Sequence, residues 1–274
     1  MAVLQILSRG ALCVMMVFAL RGVASAEESA LRRLDTGDES RGWNAVGRLN
    51  MGKRSFCTGA LIAPNLVLTA AHCLFDSKTG ARIDPTEIEF LAGWRNGRAA
   101  AYRGIKHAIA HPEYVYSGAD KLTRVSYDLA LLELDQPIRM TSIPPFETDL
   151  LPHTGDEVGV VSYARDRSEA PSLQEVCHVL NQEAQLLVLS CNVDFGSSGA
   201  PIFSVRDGVA RVVSVVSSKA DYGGSEVALG TSLQGPLQTL RASLEAESSP
   251  FQKTDPAQRD MEAGAGNSAK FVKP

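Results

Sequence analysis

Short apolar segments separated by turn residues dominate the chain from residue 43 to about residue 217. Each segment is about 4–8 residues long and rich in Val, Ile and Leu, which is typical of strands, and Gly, Pro, Asn and Asp between them are typical of turns. These segments are 43–49, 59–69, 87–91, 129–134, 157–162, 185–190, 201–205 and 209–217. Because helices do not alternate with them, the pattern predicts an all-β chain of antiparallel barrels or sandwiches, and excludes a parallel α/β sheet.

One segment near the C-terminus has helical periodicity. In residues 235–246, Leu237, Leu240 and Leu244 recur at i, i+3 and i+7, and Pro236 suits the first turn of a helix. We therefore predict a C-terminal helix that closes the β domain.

Both flanks of the β domain are polar. Residues 27–42 lack an apolar period and are interpreted as a leader or flexible arm, and residues 247–274 are predicted to be a disordered tail. The predicted domain therefore spans residues 43–246.

Residues 1–26 have the features of a secretory signal. Arg9 precedes the apolar run 11–20, and Ala24-Ser25-Ala26 forms an A-x-A cleavage pattern. The alternative is a membrane anchor, but this run is shorter than the about 20 residues that span a bilayer. We expect a secreted or periplasmic protein without a stable membrane anchor after cleavage.

The composition is that of an ordinary globular protein, with 45% hydrophobic and 21% charged residues. A net charge of −4 gives no support to nucleic-acid binding. Removing the signal removes Cys13, which leaves Cys57, Cys73, Cys177 and Cys191 for an oxidising compartment.

The first candidate motif is LVLTAAHC at residues 66–73. An apolar strand ends in two small Ala residues and then presents His72, which suits a general base that approaches its substrate closely. A strand–turn–strand would bring Cys57 to Cys73, and closing that loop would stabilise the fold by about 3 kcal/mol. Taken alone, a His at this place is more often structural.

The second motif is YDLALLEL at residues 127–134. Asp128 stands directly before a continuous apolar strand, so its carboxylate begins near buried surface and needs hydrogen-bond donors such as an imidazole N–H. In isolation, an Asp that satisfies a turn is the commoner interpretation.

The third motif is DFGSSGAP at residues 194–201. Gly196 and Gly199 flank Ser198, and glycine permits both unusual dihedral angles and the close approach of a carbonyl. The backbone N–H groups of Gly196 and Ser198 could form an oxyanion hole. By itself the motif is equally compatible with a Gly-Ser turn.

Together, these motifs resemble the trypsin/chymotrypsin-like serine peptidase family. TAAHC is nearly the family's His signature, DLALL is its Asp signature, GSSGAP is a variant of the usual GDSGGP, and HPEY at 111–114 is similar to the family's segment there. The resemblance covers about residues 43–245. It implies two packed antiparallel six-stranded β-barrels with the site between them.

The resemblance also implies the roles of the candidate residues. Ser198 would attack a peptide carbonyl, His72 would carry its proton, and Asp128 would orient the imidazole. The chain would then be an exported serine endopeptidase acting through an acyl-enzyme, with a protein or peptide as substrate. Two alternatives stay open: a catalytically weak pseudo-peptidase that acts as a binding module, and an esterase or processing enzyme of restricted substrate range.

Ser197 departs from the family pattern. Pancreatic-type members carry Asp there, which pairs with a newly freed N-terminal amine on activation, and the segment before Trp43 also lacks an IVGG-like start. GSSG variants resemble bacterial members, including the glutamyl-endopeptidase-like group. Export and trimming, or another contact on the oxyanion loop, would replace the usual activation.

The substrate pocket is less determined. Ser217 stands nineteen residues after Ser198, where the family's Ser supports the Asp, and Ser214 is its rival in the same strand. Asn192 lies at the distance expected of the pocket base, and Lys219 could favour acidic side chains. Asp194, closer to the nucleophile, is a further candidate for the pocket if the loop has shifted.

The second cysteine pair, Cys177 and Cys191, fits a bridged hairpin before the nucleophile loop, with two buried thiols as the alternative. His107 and His111 are four residues apart, but no HExxH pattern or acidic cluster accompanies them. We assign no metal and no cofactor, and we expect a monomer.

Overall fold

The computed structural model describes residues 28–52, 55–149 and 152–248. The first half of this part is a closed barrel of six antiparallel strands, paired around the ring in the order β2-β3-β4-β7-β6-β5. Its strands are β2 (Val46–Met51), β3 (Ser55–Ala63), β4 (Leu66–Thr69), β5 (Ile88–Ala92), β6 (Ala101–Ala110) and β7 (Ala130–Leu134).

The second half is another ring of six antiparallel strands, in which β8 and β9 pair to close the order β9-β10-β13-β12-β11-β8. The strands are β8 (Glu157–Ser162), β9 (Ser172–Glu183), β10 (Leu186–Leu189), β11 (Pro201–Arg206), β12 (Val209–Tyr222) and β13 (Ser225–Ser232). The predicted pair of six-stranded barrels is confirmed.

Burial on both faces explains why several strands lack an apolar–polar alternation. Along β4, Val67 points into the first barrel, whereas Leu66 and Leu68 pack into the layer between the barrels. In the same way Leu131 and Leu132 of β7 serve the interface and the barrel interior. Successive side chains of a strand point to opposite faces, so a strand with two buried faces is apolar throughout.

Two helices complete the described part of the chain. The predicted C-terminal helix is present as α2 (Pro236–Ser248), and Leu237 and Leu240 are buried on the side that packs against β6 and β7. The other helix, α1 (Lys121–Ser126), was not predicted; it is a short helix before Asp128 whose first turn is capped by the carboxylate of Asp120. Six residues are too few to show helical periodicity.

The segment before the first barrel is packed, which differs from a flexible arm. Strand β1 (Arg32–Arg33) pairs with β9 opposite Leu173 and Ser172, and Leu34 is 0% exposed. A single buried leucine and a two-residue strand leave no period in the sequence, and the pairing depends on the free edge of β9. The predicted signal, residues 1–26, and nearly all of the predicted tail, residues 249–274, lie outside the described residues. No helix in the described ranges is long and apolar enough to cross a membrane.

Candidate active site

His72 lies at the end of β4, where the chain leaves the first barrel. Ala70 and Ala71 are buried without side-chain bulk, and a single 3-10 turn over Ala71–Leu74 presents the imidazole. The turn is tied to β3 by the disulfide between Cys57 and Cys73, which confirms that predicted bridge. The His72 side chain is 28% exposed, so one side of the ring faces solvent.

Asp128 contacts the Nδ1 side of the His72 imidazole. Its side chain is only 4% exposed; Oδ1 accepts the backbone N–H of His72 at 2.8 Å, and Oδ2 lies 2.7 Å from His72 Nδ1. Ser217 donates its hydroxyl to the same Oδ2. Three hydrogen bonds therefore reach this buried carboxylate, and the one to His72 fixes the Nδ1–H tautomer of the ring.

The charge of Asp128 changes the acidity of His72. Burial lowers the pKa of the imidazole, but the charge of Asp128 and the hydrogen bond to it raise the pKa, and the net direction is upward from 6.5. A base with a pKa near the working pH is suited to both taking and returning a proton.

Ser198 lies in the loop between β10 and β11 and is placed by contacts to both barrels. Its carbonyl accepts from the backbone N–H of Thr58 on β3 at 2.9 Å, and the next N–H, that of Gly199, donates to Val216 O on β12 at 2.7 Å. A Cβ on Gly199 would lie 2.1 Å from Thr69 Oγ1 and 2.8 Å from Ala70 N. The loop that carries Ser198 is therefore packed against the strand end that carries His72 and against β12.

Among the described residues, Ser198 Oγ has no hydrogen-bond partner, so the bond to His72 through which its proton would be transferred is not formed in this structure. Catalytic hydrogen bonds are often long or poorly aligned before substrate binds.

The two predicted oxyanion donors are unengaged. Gly196 has φ +100°, and a Cβ there would lie 2.4 Å from the Phe56 ring, so the position requires glycine. Its carbonyl accepts from Thr58 Oγ1 at 2.9 Å. Within the described ranges, neither the N–H of Gly196 nor that of Ser198 donates to a protein acceptor, whereas the intervening Ser197 N–H donates to Asp194 O.

A buried arginine beside this loop was not foreseen. Arg167 donates through Nη1 to the carbonyl and hydroxyl of Ser162 at 3.0 and 3.1 Å, and through Nη2 to Ser197 Oγ at 3.4 Å. Burial lowers the pKa of the guanidinium, and the charges of Asp166 and Asp194 oppose that shift. The sequence ARDRSE at 164–169 looks like an ordinary polar turn, so nothing there marks Arg167 as buried.

Two of the predicted pocket residues line one cavity. Asn192 and Lys219 face a space of about 210 Å³, whose remaining wall comprises Glu28, Ser190, Cys191, Val193, Glu226 and Val227. Lys219 Nζ lies 3.0 Å from Glu226 Oε1, so the lysine is ion-paired.

The other pocket candidates lie elsewhere. Ser217 is not in the cavity wall and bonds to Asp128, its rival Ser214 is fully buried and donates to Thr231 O, and the Asp194 carboxylate accepts the N–H of Phe195.

The second disulfide joins Cys177 on β9 to Cys191 next to Asn192, which confirms the bridged hairpin. The two histidines considered as metal ligands have different hydrogen-bond partners. His107 Nδ1 bonds to Glu133, whereas His111 Nδ1 accepts from the backbone N–H of Glu113.

One group of donors in the described chain is close enough to suggest a metal: Cys57, His72 and Cys73. Both sulfurs already belong to the disulfide. A disulfide offers no thiolate to a metal.

Comparison with known proteins agrees with this geometry. The Trypsin family model matches residues 35–229. The glutamyl endopeptidase of Bacillus licheniformis is 26% identical over 180 residues, which covers 64% of this chain and 55% of that protein. Serine protease 23 of Mus musculus is 29% identical over 167 residues, covering 54% of this chain and 42% of that protein. The chain thus spans about half the length of these curated relatives.

Solved structures show the same fold. A Glu endopeptidase in complex with MPD superposes with a TM-score of 0.65 at 17% identity, covering 80% of this chain and 97% of that one. The thermostable serine protease AL20 superposes with a TM-score of 0.59 over 73% of this chain and 97% of its own. Two β-barrels with a His–Asp pair and a Gly-Ser loop between them define the trypsin-like serine peptidases. The chain belongs to the trypsin family.

Proposed function

We propose that the protein is an exported serine endopeptidase that cleaves peptide bonds through Ser198, His72 and Asp128. The observation that carries the proposal is the hydrogen-bonded chain from Ser217 through Asp128 to His72, packed against a loop whose Gly196 and Ser198 amides have no acceptor in the described residues. The carboxylate and the imidazole are suited to activating a nucleophile, and the two free amide N–H groups are suited to binding an anion.

The proposed reaction follows the general chemistry of a Ser-His-Asp triad. Ser198 Oγ attacks the scissile carbonyl while His72 Nε2 takes its proton, and the amides of Gly196 and Ser198 hydrogen-bond the developing oxyanion. The protonated imidazole, stabilised by Asp128, then gives the proton to the leaving amine, which leaves an acyl group on Ser198. A water molecule, deprotonated by His72, attacks the acyl carbonyl and restores the free hydroxyl. The groups named here complete the cycle without a metal or cofactor.

Export is part of the proposal. Residues 1–26 have the pattern of a signal, and both disulfides of the described chain are of the kind that persists in oxidising compartments. We therefore propose a secreted or periplasmic location, and residues 43–246 as the catalytic domain. Because β1 and Leu34 pack on β9, a functional fragment should begin before residue 32.

The cavity charges do not support carrying over a preference for acidic residues. Glu28 and Glu226 contribute two carboxylates to the wall, and the one cation, Lys219, is already paired with Glu226. An acidic substrate side chain would have to displace Glu226 from Lys219 and also face Glu28. We propose a neutral or basic residue on the acyl side of the cleaved bond.

The deciding experiment is active-site labelling of the purified mature protein with a fluorophosphonate. We expect stoichiometric labelling of the wild type, no labelling of Ser198→Ala, and turnover of a peptide substrate reduced by about 10⁶-fold in that variant. Ser204→Ala on β11 is the matched control, since Ser204 is nearly buried but lies outside the site. A folded wild-type protein that labels no faster than Ser198→Ala would favour the pseudo-peptidase, for which Ser197 and the missing Ser198–His72 bond are the supporting observations.

A further inference from the structure

The loop over residues 194–198, which we call the oxyanion loop, contains a buried hydroxyl at Ser197. Pancreatic-type members of the family carry an aspartate at this position. Ser197 is 0% exposed, and its Oγ lies 3.2 Å from Ser162 Oγ and 3.3 Å from the carbonyl of Tyr163. It also accepts the N–H of Asp194 at 3.3 Å. The Ser197 side chain therefore ties the loop over residues 194–198 to the end of β8.

The cation beside Ser197 belongs to a side chain of the second barrel. Arg167 is 9% exposed, and its two terminal nitrogens bridge Ser162 to Ser197. The carboxylate of Asp166 is 3.8 Å from Arg167 Nε but is itself largely exposed. Burying a guanidinium is costly unless its N–H donors have acceptors. Here the acceptors are Ser162 at the end of β8 and Ser197 in the oxyanion loop.

The N-terminal segment lies elsewhere. Ser29 exchanges hydrogen bonds with Val176, Arg32 lies opposite Leu173 on β9, and Glu28 lines the cavity beside Asn192. None of these contacts reaches Ser197. Among the described residues, the cation that does reach it is Arg167.

We propose that Arg167 is a positioning residue that holds the oxyanion loop in its anion-binding conformation through Ser197, in place of a chain-terminal ammonium. This inference rests on the proposed function. Its consequence is that the folded chain has a formed oxyanion site without any processing step that frees an amine for that position.

The lever is short. Ser197 lies between Gly196 and Ser198, whose N–H groups are the two donors, and its own N–H and hydroxyl both bond to the backbone of Asp194. A shift of Ser197 therefore moves both donors. Loss of one such donor costs about 10²–10³ in kcat.

The first test replaces the guanidinium by an uncharged chain of similar length. We expect Arg167→Met to lower both kcat for a p-nitrophenyl ester and the rate of fluorophosphonate labelling by about 10²-fold, while KM changes little. Arg167→Lys should recover part of the loss because it restores the charge without the planar fork. Arg206→Met, an exposed arginine at the end of β11, is the control. Rates are normalised to the folded fraction from thermal unfolding, so that a loss of stability alone is not counted.

The second test places a carboxylate beside the cation. In Ser197→Asp the new carboxylate faces Arg167, whereas in the double variant with Arg167→Met it is buried without a cation. Because an unpaired buried charge is strongly unfavourable, we expect Arg167→Met to lower kcat at least about tenfold more in the Ser197→Asp background than in the wild-type background.

A third measurement addresses the chain terminus. We expect a mature protein with a short N-terminal tag to react with the fluorophosphonate as fast as the untagged protein. A tagged protein that reacts only after the tag is removed would overturn the inference.

The outcomes separate the two proposals. If the wild type reacts but Arg167→Met reacts equally fast, or if the two Arg167→Met losses are the same with Ser197 and with Ser197→Asp, the positioning role is wrong and the proposed function stands. If the wild type reacts no faster than Ser198→Ala, the proposed function fails, and this inference fails with it.

Discussion

The two halves of the candidate site are held in different ways. On the first barrel, His72 and Asp128 are fixed by a disulfide, a strand end and direct hydrogen bonds to each other. On the second barrel, Ser198 is held through contacts of its loop: backbone groups of the loop bond to the first barrel, and the Ser197 hydroxyl bonds to Arg167. The proposed base is therefore held by local contacts, whereas the proposed nucleophile and oxyanion donors depend on how the barrels pack.

The largest expected effect tests the first-barrel half. Asp128→Asn would present an amide to His72 Nδ1 and favour the wrong ring tautomer, so we expect kcat for an ester substrate to fall by about 10⁴-fold with the fold retained. Asp135→Asn, at an exposed position just after β7, is the matched control. A loss of less than about tenfold in Asp128→Asn would show that the pair does not orient the base.

The next effect tests the contact between the halves. The Thr58 hydroxyl donates to Gly196 O and accepts the N–H of Tyr163, so Thr58→Val leaves two buried groups unsatisfied and releases the oxyanion loop. Because the N–H donors are displaced rather than removed, we expect kcat to fall by about 10-fold. This is less than the about 10²–10³-fold fall in kcat when one oxyanion donor is removed. Thr58→Ser keeps the hydroxyl and should stay near the wild type. A loss in Thr58→Ser as large as that in Thr58→Val would mean that the two hydrogen bonds of the hydroxyl are not what holds the loop.

The pH profile separates the base from the loop. The net rise in the pKa of His72 means that the acid limb of kcat/KM has its midpoint above 6.5, with activity falling about tenfold per pH unit below it. Asp128→Asn should move the midpoint down, whereas Thr58→Val should lower the plateau and leave the midpoint in place. A wild-type midpoint at or below 6.5 would contradict the assigned direction.

The raised pKa of His72 also predicts how the stability of the fold depends on pH. A folded-state pKa above the unfolded value means that the folded chain binds the His72 proton more tightly. This group therefore stabilises the fold fully below pH 6.5, and the contribution is lost as the pH rises through the folded pKa. Urea unfolding midpoints of the wild type and Asp128→Asn across this range measure it.

The smallest expected effect concerns the cavity. Glu226→Gln frees Lys219 from its partner, so we expect the ratio of kcat/KM for acidic over neutral acyl-side residues to rise by up to about fivefold, the scale of a largely exposed ion pair. Lys219→Met should move the ratio the other way. An unchanged ratio in both variants would place the selective pocket elsewhere.

Most of the fold could be predicted because its signals are local. The short apolar runs and the turns predict an all-β chain of barrels or sandwiches, and the leucine period predicts α2, whereas the pair of six-stranded barrels was implied by the family resemblance. The signals failed for elements whose stability is not local: α1 has six residues, and β1 has two residues that depend on an edge of β9.

The cysteine pairs were foreseeable in the same way, whereas the contact between His72 and Asp128, which are far apart in sequence, was expected from the family resemblance. Cys57 and Cys73 are joined across neighbouring strands, and Cys177 and Cys191 close a hairpin, so both pairs lie near each other in sequence. The cavity was only half foreseen: Asn192 and Lys219 face it together, but Glu28 and Glu226 approach from segments that no spacing rule connects.

Residue types and their order along the chain were enough to propose the chemistry: a histidine after an apolar strand, an aspartate before another, and a serine between glycines. Which arginine lies against the neighbouring Ser197 was decided only in three dimensions. Arg165 and Arg167 are two residues apart in one polar turn, yet the first lies exposed over the Phe195 ring and the second is buried against Ser197. Burial depends on what the rest of the chain packs over a side chain, and that information is absent from the residues on either side of it.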